Sequence, residues 1–216
     1  MNIKKGMFIV FEGIDGSGTS TQAEMLKNYF LTNKNSCHLT CEPSDGPIGN
    51  MIRQAFKGRL NLSKGKNPYV IDGNLFDEQM AYLFAADRHD HLYNEIDGVV
   101  KLINEGVTVI STRYYFSSYA YHCSSEADFE LVTNLNSRFP KPDLVIYLDN
   151  TVDVSMDRMR SRVFKDEYEN EKKLALVKCN YNKVFKQYEG EILFVDATKS
   201  IANIHNLIAE KVLNLK

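Results

Sequence analysis

The chain has 216 residues, 44% of them hydrophobic and 25% charged, with a formal net charge of −2. That balance suits a globular chain with one well-filled core, and it excludes a bulk attraction for nucleic acid or an anionic membrane, so any phosphate recognition is local. No apolar run approaches the roughly 20 residues of a membrane span. Met1–Phe11 runs into Glu12 and a glycine loop, where an export signal needs its cleavage site. The four cysteines, Cys37, Cys41, Cys123 and Cys179, form no CxxC pair and read as reduced thiols of a cytoplasmic protein.

In chain order, Met7–Phe11 (MFIVF) is a short apolar run suited to a strand buried on both faces. Glycines and small polar residues follow, then a helical pattern from Ser20 to about Leu31. Four further runs read as strands: His38–Cys41, Val107–Thr112, Leu144–Asp149 and Ile192–Asp196. Between them the pattern predicts helices over Ile48–Lys57, Leu75–Glu105, Phe116–Arg138, Val152–Tyr188 with a break, and Ile201–Leu215. Strands alternating with helices imply βαβ units and a parallel sheet covered on both sides. The glycines and Pro68 between Lys57 and Asn74 read as a surface excursion, which leaves residues 1–216 as one α/β domain.

Gly13-Ile14-Asp15-Gly16-Ser17-Gly18-Thr19-Ser20 fits the phosphate-loop pattern G-x-x-x-x-G-K-[ST] at every fixed position except the lysine. A buried strand enters it and a helix leaves it, as the mechanism requires. Glycines let backbone N–H groups converge on phosphate oxygens, and the helix N-terminus adds favourable partial charge. The loop, with Thr21 beyond it, thus predicts an ATP site, with the Ser20 hydroxyl on Mg²⁺. Thr19 offers a neutral hydroxyl where a loop lysine would place a charge on the transferring group, so another cation is needed.

Phe84 and Arg88 lie four apart on one helix face, where a ring beside a guanidinium suits a flat base. An arbitrary pair of this kind is more often a core ring beside a solvated arginine. Arg53 and Arg113 carry the fork that fits phosphate oxygens, and Arg113 follows a buried strand, where open α/β sheets bind ligands. Ser117 and Ser118 add polar groups. Asp15 is either a ligand contact or a turn aspartate bonded to its own backbone. His89 and His91 are two apart on a helix and point in different directions, which argues against a metal site.

Five segments in register resemble the thymidylate kinase family of P-loop nucleoside monophosphate kinases. They are the opening FIVFEGIDGSGTSTQ, the stretch Glu42-Pro43-Ser44-Asp45-Gly46-Pro47-Ile48-Gly49 with Arg53, the helix Leu83–Arg88 (LFAADR), Arg113–Tyr121, and Asp166–Asn170. The resemblance implies a three-layer P-loop NTPase fold with a five-stranded parallel sheet, a lid over about 158–170, and a homodimer. It implies transfer of the ATP γ-phosphate to dTMP, with Glu42, Pro43, Arg53, Phe84, Arg88, Arg113, Ser117, Ser118, Tyr121 and His122 at the acceptor and Asp15, counted among the catalytic residues, near its sugar or phosphate partners. It also implies lid arginines, Arg158 and Arg162, that serve the transferring phosphate beside Arg113. Arg158 and Arg162 share a helix face, with Arg160 pointing elsewhere; a solvated basic face is the alternative.

The chain departs from the family's pattern at Thr19, at Cys41 in place of an arginine, at Thr112 in place of an aspartate, and at His122 in place of a glutamine. Loss of both the lysine and the aspartate reads as compensatory, because an unpaired buried charge is costly. The departures leave two further readings: a nucleotide-binding relative of weak activity, or a kinase for another acceptor such as dUMP or dGMP.

Overall fold

The computed structural model describes residues 5–69, 73–160, 168 and 170–215. Five strands, β1 (Phe8–Glu12), β2 (Cys37–Cys41), β3 (Thr108–Thr112), β4 (Leu144–Asp149) and β5 (Ile192–Asp196), form one parallel sheet in the order β2-β3-β1-β4-β5. Each begins and ends within a residue of its expected place. The helices among the described residues are α1 (Thr19–Thr32), α2 (Pro47–Phe56), α3 (Leu75–Tyr93), α4 (Val99–Asn104), α5 (Tyr115–His122), α6 (Glu126–Asn136), α7 (Val152–Met159), α8 (Glu171–Gln187) and α9 (Ile201–Leu213).

Strand side chains alternate between two cores, because successive residues point to opposite faces. Phe8, Val10, Val109, Val145 and Tyr147 pack in one core with Ile52, Phe84, Phe116 and Tyr181 from α2, α3, α5 and α8. Ile9, Phe11, Ile110, Ile146 and Leu148 face the other, with Leu26 and Phe30 from α1 and Ile204 and Ile208 from α9. This is the expected three-layer arrangement. It explains why the strands read as continuous apolar runs: both faces are covered.

Two expected helices are each broken once. Leu75–Glu105 divides into α3 and α4, because the Asn94 side chain accepts from the backbone N–H groups of Ile96 and Asp97 and turns the chain out of the helix. Phe116–Arg138 divides into α5 and α6 at Ser125, which caps α6 in a reciprocal pair with Asp128. Apolar periodicity runs across both breaks, whereas capping chemistry marks them.

Register sets the site. Phe11 pairs with Thr112 across β1 and β3, and Thr112 pairs with Cys41 across β3 and β2. Glu42, Arg113 and the Glu12–Gly13 step, remote in sequence, therefore emerge side by side at the carboxyl edge of the sheet. Ligands of open α/β sheets bind at that edge.

Candidate active site

The loop after β1 wraps the start of α1. Gly16 has φ +80°, and a Cβ there would lie 2.8 Å from the Ser155 carbonyl oxygen, so both backbone angle and space require glycine. Gly18, at φ +99°, caps α1. A cavity of about 450 Å³ opens over this turn, lined by Asp15 to Gln22 and closed on its far side by Arg158, Ala197, Lys199, Ile201 and Ile204. Its walls include every loop residue expected to contact ATP except two. Ile14 is buried in the core, and Gly13 stands behind the wall with its carbonyl accepting from Arg113. Thr19, Ser20 and Thr112 all face this cavity.

A second cavity of about 210 Å³ adjoins the first, lined by Asp15, Glu42, Pro43, Arg53, Phe56, Phe84, Arg113, Ser117, Ser118, Tyr121, His122 and Tyr168. Nine of the ten residues expected at the acceptor are in that wall. The tenth, Arg88, is fully buried behind it. Its guanidinium donates twice to Glu42 Oε2, at 2.9 and 2.6 Å, and once each to Asn136 and Ser118, and it lies against the Tyr114 and Phe139 rings. The structure thus brings Arg88 to the back of the wall, where it sets Glu42 and Ser118, two residues that do face the cavity.

Asp15, Glu42 and Arg113 line both cavities. Arg113 has φ +74°, a left-handed conformation that costs a non-glycine residue about 1–2 kcal/mol and persists only where its surroundings enforce it. Its backbone N–H donates to Phe11, and Ser111 Oγ donates to its carbonyl. Its guanidinium donates to Asp15, Tyr121, Ser117, Tyr181 and the Gly13 carbonyl, with the Tyr121 ring beneath it. Burial opposes its charge, but the oxygens around it, those of Tyr121 and Asp15 foremost, raise its pKa further. Asp15 also accepts from Tyr121 at 2.9 Å, so it is bonded to side chains rather than to its own turn.

Glu12 lies under this group, buried, and accepts from the Tyr114 backbone, Ser117 Oγ and Tyr181 Oη. Burial pushes its carboxyl up to about 7, partly offset by Arg113 and the three donors. His122 is buried beside Phe84, with ring centroids 5.1 Å apart, and burial holds its pKa well below the ordinary value, so its imidazole is neutral. Its Nδ1 has no hydrogen-bond partner among the described residues. Arg53 turns its donors to the chain beside it: the carbonyls of Pro43 and Ser44, Asp45, and Cys41 Sγ. The Cys41 position thus anchors an arginine rather than supplying one.

Arg158 reaches the phosphate loop, donating to the Gly16 and Ser17 carbonyls at 3.2 and 3.4 Å and to Ala197 at 3.0 Å. Arg160 points away and pairs with Asp157 on the surface, as the spacing predicts. Arg162 lies outside the described residues, as does most of the expected lid.

Several residues of the site were given no role there from the sequence: Glu12, Phe56, Asp87, His91 and Tyr181. Asp87 accepts from the Ser44 backbone and hydroxyl at 2.7 and 2.6 Å, and His91 bridges Thr40 Oγ1 and Glu42 Oε1. Phe84, Asp87, Arg88 and His91 follow one another at helical spacing, a signal that a single polar face was buried. Nothing local marked Phe56 or Tyr181.

A sheet of this order, with a glycine loop leading into α1 and two cavities meeting at an arginine, defines a P-loop kinase. The sequence profile described as thymidylate kinase matches residues 11–208. A protein of Thermococcus kodakarensis named "Probable thymidylate kinase" is 39% identical over 204 residues, covering 94% of this chain and 95% of that one. Proteins of the same name from Thermococcus onnurineus and Methanococcus aeolicus are 40% and 36% identical, covering 93% and 97% of this chain and 94% and 97% of their own. The chain belongs to the thymidylate kinase family.

Proposed function

We propose that this protein transfers the γ-phosphoryl group of ATP to dTMP, giving ADP and dTDP. The observation that carries this is the junction: a cavity over the phosphate loop and a smaller one walled by rings and hydroxyls share Asp15, Glu42 and Arg113. Phosphoryl transfer needs positioning and charge stabilisation more than covalent chemistry, and the junction supplies both.

In this reading ATP lies over Gly13–Thr21, and Arg113 addresses the acceptor's phosphate from the shared wall. Phe84 offers a face on which a pyrimidine stacks. Neutral His122 and Ser118 offer donors and acceptors to its edge, and Asp15 and Tyr121 flank its sugar. Arg53 holds Pro43 and Ser44 at the phosphate end. Arg158, already against the loop carbonyls, provides the cation that Thr19 lacks, with Arg162 assigned the same task. Mg²⁺ suits the site, because Ser20 offers a hard oxygen beside the phosphates and such ions keep most of their ligands from substrate and water; it neutralises charge on the transferring group.

The same reading takes residues 1–216 as one domain, working in the cytoplasm as a homodimer. Four unpaired thiols support a reducing compartment. Tyr82 and Tyr93 are exposed on α3, with Ala86 and His89 between them at helical spacing, and Met51 is exposed on α2. Such a stripe suits a helix-to-helix interface.

Incubation with ATP, Mg²⁺ and each nucleoside monophosphate in turn, following ADP, tests the function. Turnover with dTMP well above all others is expected. Faster turnover with another acceptor, or none with any, overturns the reading.

A further inference from the structure

We infer that Tyr181, on α8, is a positioning residue for Arg113, joining it through a hydroxyl bridge to the buried carboxylate of Glu12. The inference rests on the reading that Arg113 addresses the acceptor's phosphate, and it adds a residue that lies in none of the five segments that carry the family resemblance.

Tyr181 is fully buried. Its ring is held by the core, stacked on Phe185 at 5.6 Å between centroids and packed on Tyr147 at 5.2 Å. Only its oxygen enters the polar centre, where it lies 2.8 Å from Glu12 Oε2, 2.9 Å from Ser117 Oγ and 3.3 Å from Arg113 Nη1. Ser117 Oγ has the same neighbours, 2.7 Å from Glu12 Oε2 and 3.1 Å from Arg113 Nη1.

Proton counting gives the direction of these bonds. Arg113 can only donate, and Glu12, above the pH of about 7 at which it ionises, can only accept. Each hydroxyl has one proton, so each gives it to Glu12 and accepts from Arg113 on a lone pair. Tyr181 and Ser117 therefore act in parallel, as two bridges from the Nη1 side of the guanidinium to a carboxylate it does not touch. Burial, then Glu12, raises the Tyr181 pKa well above its ordinary value, so the phenol keeps the proton that the bridge needs. On the other side, Nη2 is held by Asp15 and Tyr121. Tyr181 thus fixes the arginine's azimuth from α8, which packs against α5.

Tyr181→Phe removes the oxygen and leaves the ring in its packing. Binding of dTMP and of thymidine, which lacks the phosphate, is measured by calorimetry at a pH about one unit above the Glu12 pKa of about 7 in wild type, Tyr181→Phe and Arg113→Lys, with steady-state KM for ATP alongside. The expected result for Tyr181→Phe is about tenfold weaker dTMP binding, the scale of one hydrogen bond to a charged group, with thymidine binding and ATP KM within about twofold of wild type. Arg113→Lys is expected to narrow the dTMP preference further. If Arg113→Lys narrows it and Tyr181→Phe does not, the positioning role is overturned while the reading of Arg113 stands. Equal loss of dTMP and thymidine binding in Tyr181→Phe also overturns it, since that is the mark of general pocket damage. If Arg113→Lys leaves the preference unchanged, the reading of Arg113 falls and the inference with it.

Discussion

At the scale of residues, the site is a set of charges placed where each has a partner. Glu12 is the clearest case, because its carboxyl titrates near neutrality. Burial raises it from 4.5 to about 7, so between those values the native state keeps a proton that the unfolded chain has released. Its contribution to stability is therefore fully present below about 4.5 and is lost as the pH rises through about 7, over a range on the order of 3 kcal/mol. Glu12→Gln is expected to flatten the dependence of urea stability on pH between 5 and 8; an unchanged slope would show that Glu12 does not titrate there. His122 works in the opposite sense. Held neutral by burial, it stays unprotonated where an unfolded histidine gains its proton below about 6.5, so it lowers stability on the acid side. Arg158 is proposed to serve the chemistry instead. Its guanidinium rests on the loop that lacks a lysine, and alanine there is expected to lower kcat at least tenfold while moving the KM for ATP by less than about threefold. Loss of ATP affinity with kcat intact would assign it to nucleotide binding alone.

At the scale of elements, α3 and the segment from Glu42 to Gly46 behave as one unit. The C-terminal half of α3 buries Asp87, Arg88 and His91, which tolerate burial because each has a partner in or beside that segment. The other side of the segment is set by α2. A Cβ at Gly49 would lie 2.0 Å from the Ser44 carbonyl oxygen and 2.6 Å from its nitrogen, both backbone atoms that cannot turn aside. Gly49→Ala must therefore push this segment outward. It is expected to cost about 1–3 kcal/mol of stability and to raise the KM for dTMP roughly tenfold, with the KM for ATP nearly unchanged. Equal effects on the two substrates would show that the segment serves both cavities alike.

At the scale of the whole molecule, the sheet order decides what meets what. Placing β1 between β3 and β4, with β2 outside β3, brings Glu42, Arg113 and the phosphate loop to one edge, while α2 and α3 pack on each other and keep exposed faces. The exposed stripe on α3 is the surface proposed to pair. Tyr82→Glu with Tyr93→Glu is expected to yield a monomer by analytical ultracentrifugation at concentrations where wild type is a dimer. A monomeric wild type, or an unaltered double variant, removes that interface.

The elements and the phosphate loop were legible in the sequence for a local reason. A strand covered on both faces must be apolar throughout, and a loop that turns back on phosphates must carry glycines, so Met7–Phe11 and Gly13–Ser20 declare themselves without knowledge of the rest. The wall of the second cavity was legible in part: Phe84 and Arg113 were candidates by spacing and position, but only the resemblance grouped them with Glu42, since they lie on separate elements and any one of them alone is an ordinary residue. The tertiary structure decided the partners. That Arg88 stands behind the wall instead of in it and that a tyrosine of α8 reaches Arg113 both follow from which strands are neighbours and which helix faces are covered. Those are long-range contacts, made by packing between segments far apart in the chain, and no local pattern encodes the partner a buried polar group will find.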